Sequence, residues 1–123
     1  MIALTLLTAV QAVAPAPADE VTVIGRRLDT WRGAIRTTKA GTTCITKSST
    51  GDPEIDRIGC TVMTECWPET RTRMQAAQVK GLTRAERKRL ADAAAQAFIT
   101  CGKPKREAMI DALAERRLAG TGA

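Results

Sequence analysis

Four cysteines, Cys44, Cys60, Cys66 and Cys101, constrain what this chain can fold into more than any other feature of its sequence. Two of them lie in one stretch, Gly51 to Trp67, that reads as a capped amphipathic helix. Asp52 is a good N-cap, Pro53 suits the first helical position, and Glu54 and Asp56 complement the positive end of the helix dipole. Ile55, Ile58, Gly59, Val62 and Cys66 fall on one stripe at helical spacing, the pattern of a core-facing surface. Cys60, Met63 and Trp67 occupy the adjoining flank. Gly59 costs about 1 kcal/mol of helix propensity against Ala. Its place on the apolar stripe therefore predicts a close neighbour, most simply the backbone of a preceding hairpin. Pro68 is expected to end or kink the helix.

Helix geometry then limits the disulfides. Cys60 and Cys66 are separated by about 9 Å along the axis and roughly 120° around it, whereas a disulfide needs Cα atoms within about 7 Å. They do not bond each other, so two connectivities remain: Cys44–Cys60 with Cys66–Cys101, or Cys44–Cys66 with Cys60–Cys101. The first is preferred. Cys44 lies on the strand just before the helix, and a connection through Ser48 to Asp52 lets that strand fold back to the helix middle. Cys66, at the helix end, is then left to meet Cys101.

The cysteines are read as oxidised because the N-terminus looks like an export signal. Residues 1–12 form an uncharged apolar run ending in Val10-Gln11-Ala12, which suits cleavage after Ala12, with a cut after Ala18 as the alternative. The run is shorter than the roughly 20 apolar residues that span a bilayer, so no transmembrane span is expected after its removal. An even number of cysteines in a small exported chain implies disulfides. The sequence has no His and no Cys-x-x-Cys pair, so the usual ligand mix and spacing of a zinc site are missing and neither metal nor cofactor is expected. Extra covalent restraint matters here, since aromatic residues make up only 2% of the 123 residues.

Residues 13–20 read as a Pro/Ala linker, 21–119 as a single disulfide-stapled domain and 120–123 as a disordered tail. Within the domain, Val21 to Leu28 is β-branched and suits a short strand closed by Gly25. Trp31 to Thr50 reads as a hairpin turning at Lys39-Ala40-Gly41. Two strands alone are marginal in water, so this hairpin must lie on the helix that follows. Beyond Pro68 a short helix is expected through Met74, Ala77 and Val79 to Gly81. Next comes a capping box, Thr83-Arg84-Ala85-Glu86, whose helix carries Leu90, Ala94, Ala97, Phe98 and Cys101 on one face and stops at Gly102. Pro104 opens a last helix with Met109, Ile110 and Leu113 as its apolar stripe. The fold class is thus mainly α with a small N-terminal β-hairpin, an α+β, disulfide-stapled domain of three or four helices.

Two resemblances follow from these residues. Glu20-Val21-Thr22-Val23-Ile24-Gly25-Arg26 is similar to the Val-rich entry segment near the mature N-terminus of TonB-dependent outer-membrane receptors. Such receptors need a barrel several times this length, so the likeness does not imply receptor function. Arg26-Arg27 follows the apolar run, which excludes a twin-arginine signal. The order of signal, Val-Thr-Val-Ile-Gly-Arg-Arg-Leu segment, Trp-Arg-Gly hairpin, Gly-Asp-x-x-Ile-Asp-x-Ile-Gly-Cys helix and helical tail with a final Cys resembles small periplasmic or secreted proteins of Gram-negative, alphaproteobacterial type. That resemblance implies location and fold. Families of this type have no established activity, so it implies nothing about mechanism.

Charge supplies the remaining signal. The net charge is +6, and all of it falls in residues 68–123. Arg84, Arg87, Lys88 and Arg89 form one cluster and Lys103, Lys105 and Arg106 another, a candidate anion-binding surface. Its partners would be lipopolysaccharide, phospholipid head groups, acidic glycans or an acidic envelope protein. The same charges also suit ordinary solvated helix faces. Nucleic acid is disfavoured by export and by the absence of interleaved stacking aromatics. Enzymatic function has little support: His and Tyr are absent, and capping explains the carboxylates at the helix start. The expected role is a non-catalytic exported envelope protein, structural or interacting. The first alternative is a cationic binder of anionic envelope surfaces, and the second a nucleic-acid binder if the chain is not exported.

Overall fold

A computed structural model describes residues 17–121 of the chain. The signal-peptide reading of residues 1–12 lies outside them. Five elements follow in order: α1 (Pro17–Asp29), β1 (Arg32–Thr38), β2 (Gly41–Ser48), α2 (Pro53–Ala77) and α3 (Arg84–Thr121). The domain is mainly helical with one antiparallel hairpin, and a helix precedes that hairpin.

The first correction concerns Val21 to Leu28, which is helical. Val21, Ile24 and Leu28 recur at i, i+3 and i+7, and in α1 they turn to one side. Ile24 and Leu28 are buried while Val23 stays 53% exposed. Asp19 and Glu20 in the first turn and Arg26 and Arg27 in the last complement the dipole at both ends. Burial of this stripe outweighs the β preference of Val21-Thr22-Val23-Ile24. Residues 17–20, expected in a linker, belong to the same helix.

β1 and β2 pair antiparallel with Ile35 opposite Cys44 and Thr38 opposite Gly41. The chain turns at Lys39-Ala40, and Gly41 supplies a φ of +128°. A register shift lies between Arg32 and Gly33. The hairpin is held to α2 by the Cys44–Cys60 disulfide, with Cα atoms 5.6 Å apart. Beside it the Trp31 indole is wedged between two glycines. A Cβ built on Gly33 would stand 2.2 Å from Trp31 Cη2, and one on Gly59 would stand 2.5 Å from Trp31 Cδ2. Trp31 Nε1 donates to Thr46 Oγ1 at 3.1 Å. Gly59 therefore has the close neighbour its position implied, but that neighbour is an aromatic ring rather than strand backbone.

The second correction concerns where helices stop. α2 runs through Pro68 to Ala77, so the expected separate helix after Pro68 is its continuation. α3 runs 38 residues through both Gly102 and Pro104 and ends at Thr121, so it takes in residues 120 and 121 of the expected tail, whose last two residues lie outside the described ones. Each proline removes one backbone donor and costs a free helix roughly 3 kcal/mol, yet the turns on either side are packed. Cys66, two residues before Pro68, is bonded to Cys101, three residues before Pro104, with Cα atoms 5.9 Å apart. Gly102 is buried against α2, where an added Cβ would meet Val62 Cγ1 at 3.1 Å. It permits close helix approach instead of ending a helix. The turn between α2 and α3 uses Gly81 at φ +90° and the Thr83 cap, whose Oγ1 accepts from Glu86 N at 3.1 Å.

The core is aliphatic: Ile24 and Leu28 of α1, Ile55 and Ile58 of α2, and Ile110, Leu113 and Ala114 of α3. Val21, Trp31, Val62 and Met109 pack against it. This cluster occupies the end of the molecule where all three helices meet. The far ends of α2 and α3 continue as an antiparallel pair holding Thr70, Ala77 and Ala94.

Two glycines in helices should respond oppositely to alanine. Gly59→Ala gains helix propensity but drives a methyl into the Trp31 ring, so a net loss of about 1–2 kcal/mol is expected. Gly25→Ala meets nothing within 4 Å and should gain up to about 1 kcal/mol. Urea unfolding at equilibrium measures both, and near-ultraviolet dichroism should report ring displacement in Gly59→Ala alone.

Candidate functional site

Most of the cations singled out in the sequence have structural work. Arg87 donates to Ala77 O at 2.8 Å and Val79 O at 3.4 Å, closing the C-terminal end of α2. Lys88 pairs with Asp92 at 2.7 Å, and Lys105 with Glu65 of α2 at 3.2 Å. Arg106 reaches α1, donating to Gly25 O at 3.0 Å and Asp29 Oδ1 at 2.7 Å. Only the side chains of Arg84, Arg89 and Lys103 of the seven make no hydrogen bond or ion pair among the described residues. The two clusters do not converge. Along one continuous helix, Arg84 and Lys103 are about 28 Å apart.

A separate ion network ties the helix ends around the α2 N-terminus. Asp52 accepts from Glu54 N at 3.0 Å and Ile55 N at 3.4 Å, capping the helix. Its other oxygen faces Arg117 of α3 at 2.5 Å and Arg27 of α1 at 3.8 Å. Glu54 takes Arg117 at 3.5 Å and Arg116 at 3.7 Å. One turn on, Asp56 accepts from Thr50 N at 2.8 Å, Thr50 Oγ1 at 2.7 Å and the Ser49 hydroxyl. Partial burial opposes charge on both carboxylates. The Arg117 guanidinium and backbone N–H groups at Asp52 outweigh it, as do the Ser49 and Thr50 donors at Asp56, so both are held below the ordinary 3.8. These carboxylates are thus engaged in capping and in joining α1, α2 and α3.

Between α1 and α3 lies an open trough of about 640 Å³. Val21, Val62, Phe98, Ile99 and Ile110 give it apolar walls, and Gly25 and Gly102 contribute no side chain to fill it. Ile99 is 57% exposed there. Arg26, Lys103 and Arg106 line the same trough, together with Asp29 and Glu107. Asp29 is engaged by Arg106, whereas the Arg26, Lys103 and Glu107 side chains make no polar contact among the described residues. Arg106 Nε is buried without a hydrogen-bond partner. A second depression of about 270 Å³ shares Val62, Phe98, Asp29 and Arg106 and extends the trough towards Trp31 and Met63.

Reading α1 as a strand hid this site. Its own signals were the helical spacing of Val21, Ile24 and Leu28 and the two glycines, Gly25 and Gly102, within helical runs. Among the described residues no group of three or more His, Cys, Asp or Glu could hold a metal ion, and no helix is long and apolar enough to cross a membrane. Comparison with protein-family models, curated proteins and solved structures gives no match.

The carboxylate network predicts an acid-side loss of stability. Asp52 and Asp56 have folded-state values below their unfolded ones, so their contribution is present above the ordinary carboxyl range and lost as pH falls through the folded values. The melting temperature should be level from neutral pH to about 5 and decline below about 4. Asp52→Asn keeps the cap but loses the charge facing Arg117. Calorimetry across this range should show a lower starting value and a shallower acid decline for that variant.

Proposed function

We propose that this protein is a non-catalytic, exported interaction domain of the bacterial envelope that binds anionic components of that surface. The observation that carries the reading is the open trough between α1 and α3, where exposed apolar side chains and the cations Arg26, Lys103 and Arg106 share one surface. Binding sites combine apolar walls with a few polar groups in this way. Export is supported by the two disulfides, which persist in oxidising compartments, and by the apolar run at residues 2–10. The likeness to small periplasmic proteins points to the same compartment. Cleavage after Ala12 leaves all of α1 intact, whereas a cut after Ala18 removes its first residues. A non-catalytic role is supported by the engagement of Asp52 in capping and ion pairing and of Asp56 in holding Ser49 and Thr50.

On this reading the anion-binding surface comprises fewer cations than the two sequence clusters hold. Arg87, Lys105 and Arg106 join elements of the fold, so reversing their charge would mix folding with binding. Arg26, Arg84, Arg89 and Lys103 remain available. Co-sedimentation with vesicles containing phosphatidylglycerol should show association at low salt that weakens at least tenfold at about 0.5 M salt. The quadruple charge reversal at Arg26, Arg84, Arg89 and Lys103 should abolish it. Equal retention by purely zwitterionic vesicles, or indifference to salt, would contradict the reading.

A further inference from the structure

We infer that the trough between α1 and α3 receives a single-chain anionic phospholipid, its acyl chain along the apolar walls and its phosphate beside Arg26 and Lys103. The inference rests on the anionic-binder reading and makes it specific. The volume of about 640 Å³ falls within the roughly 300–1,000 Å³ of small-molecule sites. Its walls are Val21, Val62, Phe98, Ile99 and Ile110, and the adjoining depression past Met63 to Trp31 continues the apolar surface. One acyl chain can follow that surface from the trough into the depression.

The charges give the ligand its orientation and sign. Arg26 on α1 and Lys103 on α3 line the trough from opposite walls, and their side chains have no polar partner among the described residues. Arg106 lines the same trough, with its guanidinium tied to Gly25 O and Asp29 and its Nε buried without an acceptor. Glu107 is the one carboxylate of the lining with no cation on it among the described residues, which leaves the unpaired balance positive. A phosphate held by cations of the lining gains charge-assisted hydrogen bonds, and a head group without net charge gains less. Gly25 makes room for the chain. An added Cβ on Gly25 meets nothing within 4 Å, so α1 passes the trough without filling it.

Titration calorimetry of the oxidised protein with lysophosphatidylglycerol, kept below its micelle concentration, tests the inference. The expected result is one site per chain, with lysophosphatidylcholine at least about tenfold weaker. Gly25→Leu starts from a Cβ position with nothing within 4 Å, on the trough side of α1, and favours the helix over glycine. It should weaken lysophosphatidylglycerol at least about tenfold while leaving the unfolding transition as stable as before. Arg26→Glu with Lys103→Glu should do the same through charge. No one-to-one binding, or equal binding by Gly25→Leu, overturns the trough site. If anionic vesicles are still bound in a salt-sensitive way, the broader reading stands and only the lipid site falls. If vesicle binding is also absent, both fall. A synthetic peptide of residues 2–13 that fills the site in place of the lipid would overturn the inference in favour of self-docking. Equal affinity for the choline and glycerol head groups would overturn the role given to Arg26 and Lys103.

Discussion

The Cys66–Cys101 disulfide joins α2 and α3 at the point where both helices should otherwise fail. Pro68 and Pro104 follow the bridge within one turn on each side, and Gly102 lies next to it. Each of these residues alone weakens a helix, the prolines by about 3 kcal/mol. The bridge closes a separation of 35 residues, worth about 4 kcal/mol in the chain-entropy account. It also keeps the turns before both prolines in register with each other. Gly102 lets Val62 approach, so the glycine that costs propensity also contributes packing. Because α3 continues past this point, it delivers Ile110, Leu113 and Ala114 to the core and Lys103 and Arg106 to the wall opposite α1. Without that continuation the α3 wall of the trough would lose Arg106, Glu107 and Ile110.

The second disulfide works on a smaller scale. Cys44–Cys60 holds a two-stranded hairpin that has little apolar surface of its own, and most of its residues are exposed. The contact that makes this attachment specific is the Trp31 ring between Gly33 and Gly59, anchored by Thr46. In a chain with so few aromatics one indole at the hairpin base replaces what a larger core would supply. The ion network around Asp52 completes the same end of the molecule, since Arg27, Arg117 and Arg116 bring α1 and α3 to the start of α2. Several charges that the sequence offers for partners therefore hold the fold, and of the cations without such a task Arg26 and Lys103 line the trough while Arg84 and Arg89 lie away from it.

What was legible in the sequence is what local chemistry decides. Asp52 with Pro53, Thr83 with Glu86, the stripe from Ile55 to Cys66, the turn at Lys39-Ala40 and the impossibility of a Cys60–Cys66 bridge all follow from spacing and residue type. The cystine pairing Cys44–Cys60 with Cys66–Cys101 is the one the loop argument preferred. The failures share one cause, a local preference overridden by packing. Val21 to Ile24 carries β-branched residues, but burying Ile24 and Leu28 against α2 and α3 requires a period of 3.6. Pro68, Gly102 and Pro104 signal helix ends, but a disulfide and close helix packing surround them. The trough depends on α1 lying beside α3, some 80 residues apart in sequence as in the Arg106–Gly25 hydrogen bond at a separation of 81. No window of sequence contains that proximity.

α3 passes unbroken through Gly102 and Pro104 and so forms one wall of a trough whose other wall is α1. Proton NOE spectra of the oxidised protein should show helical medium-range NOEs continuing from Gln96 to Ala108 across Pro104, together with NOEs between the methyl groups of Val21 and Ile110. A break in the helical pattern at Gly102 to Pro104, with no Val21–Ile110 NOE, would contradict this arrangement.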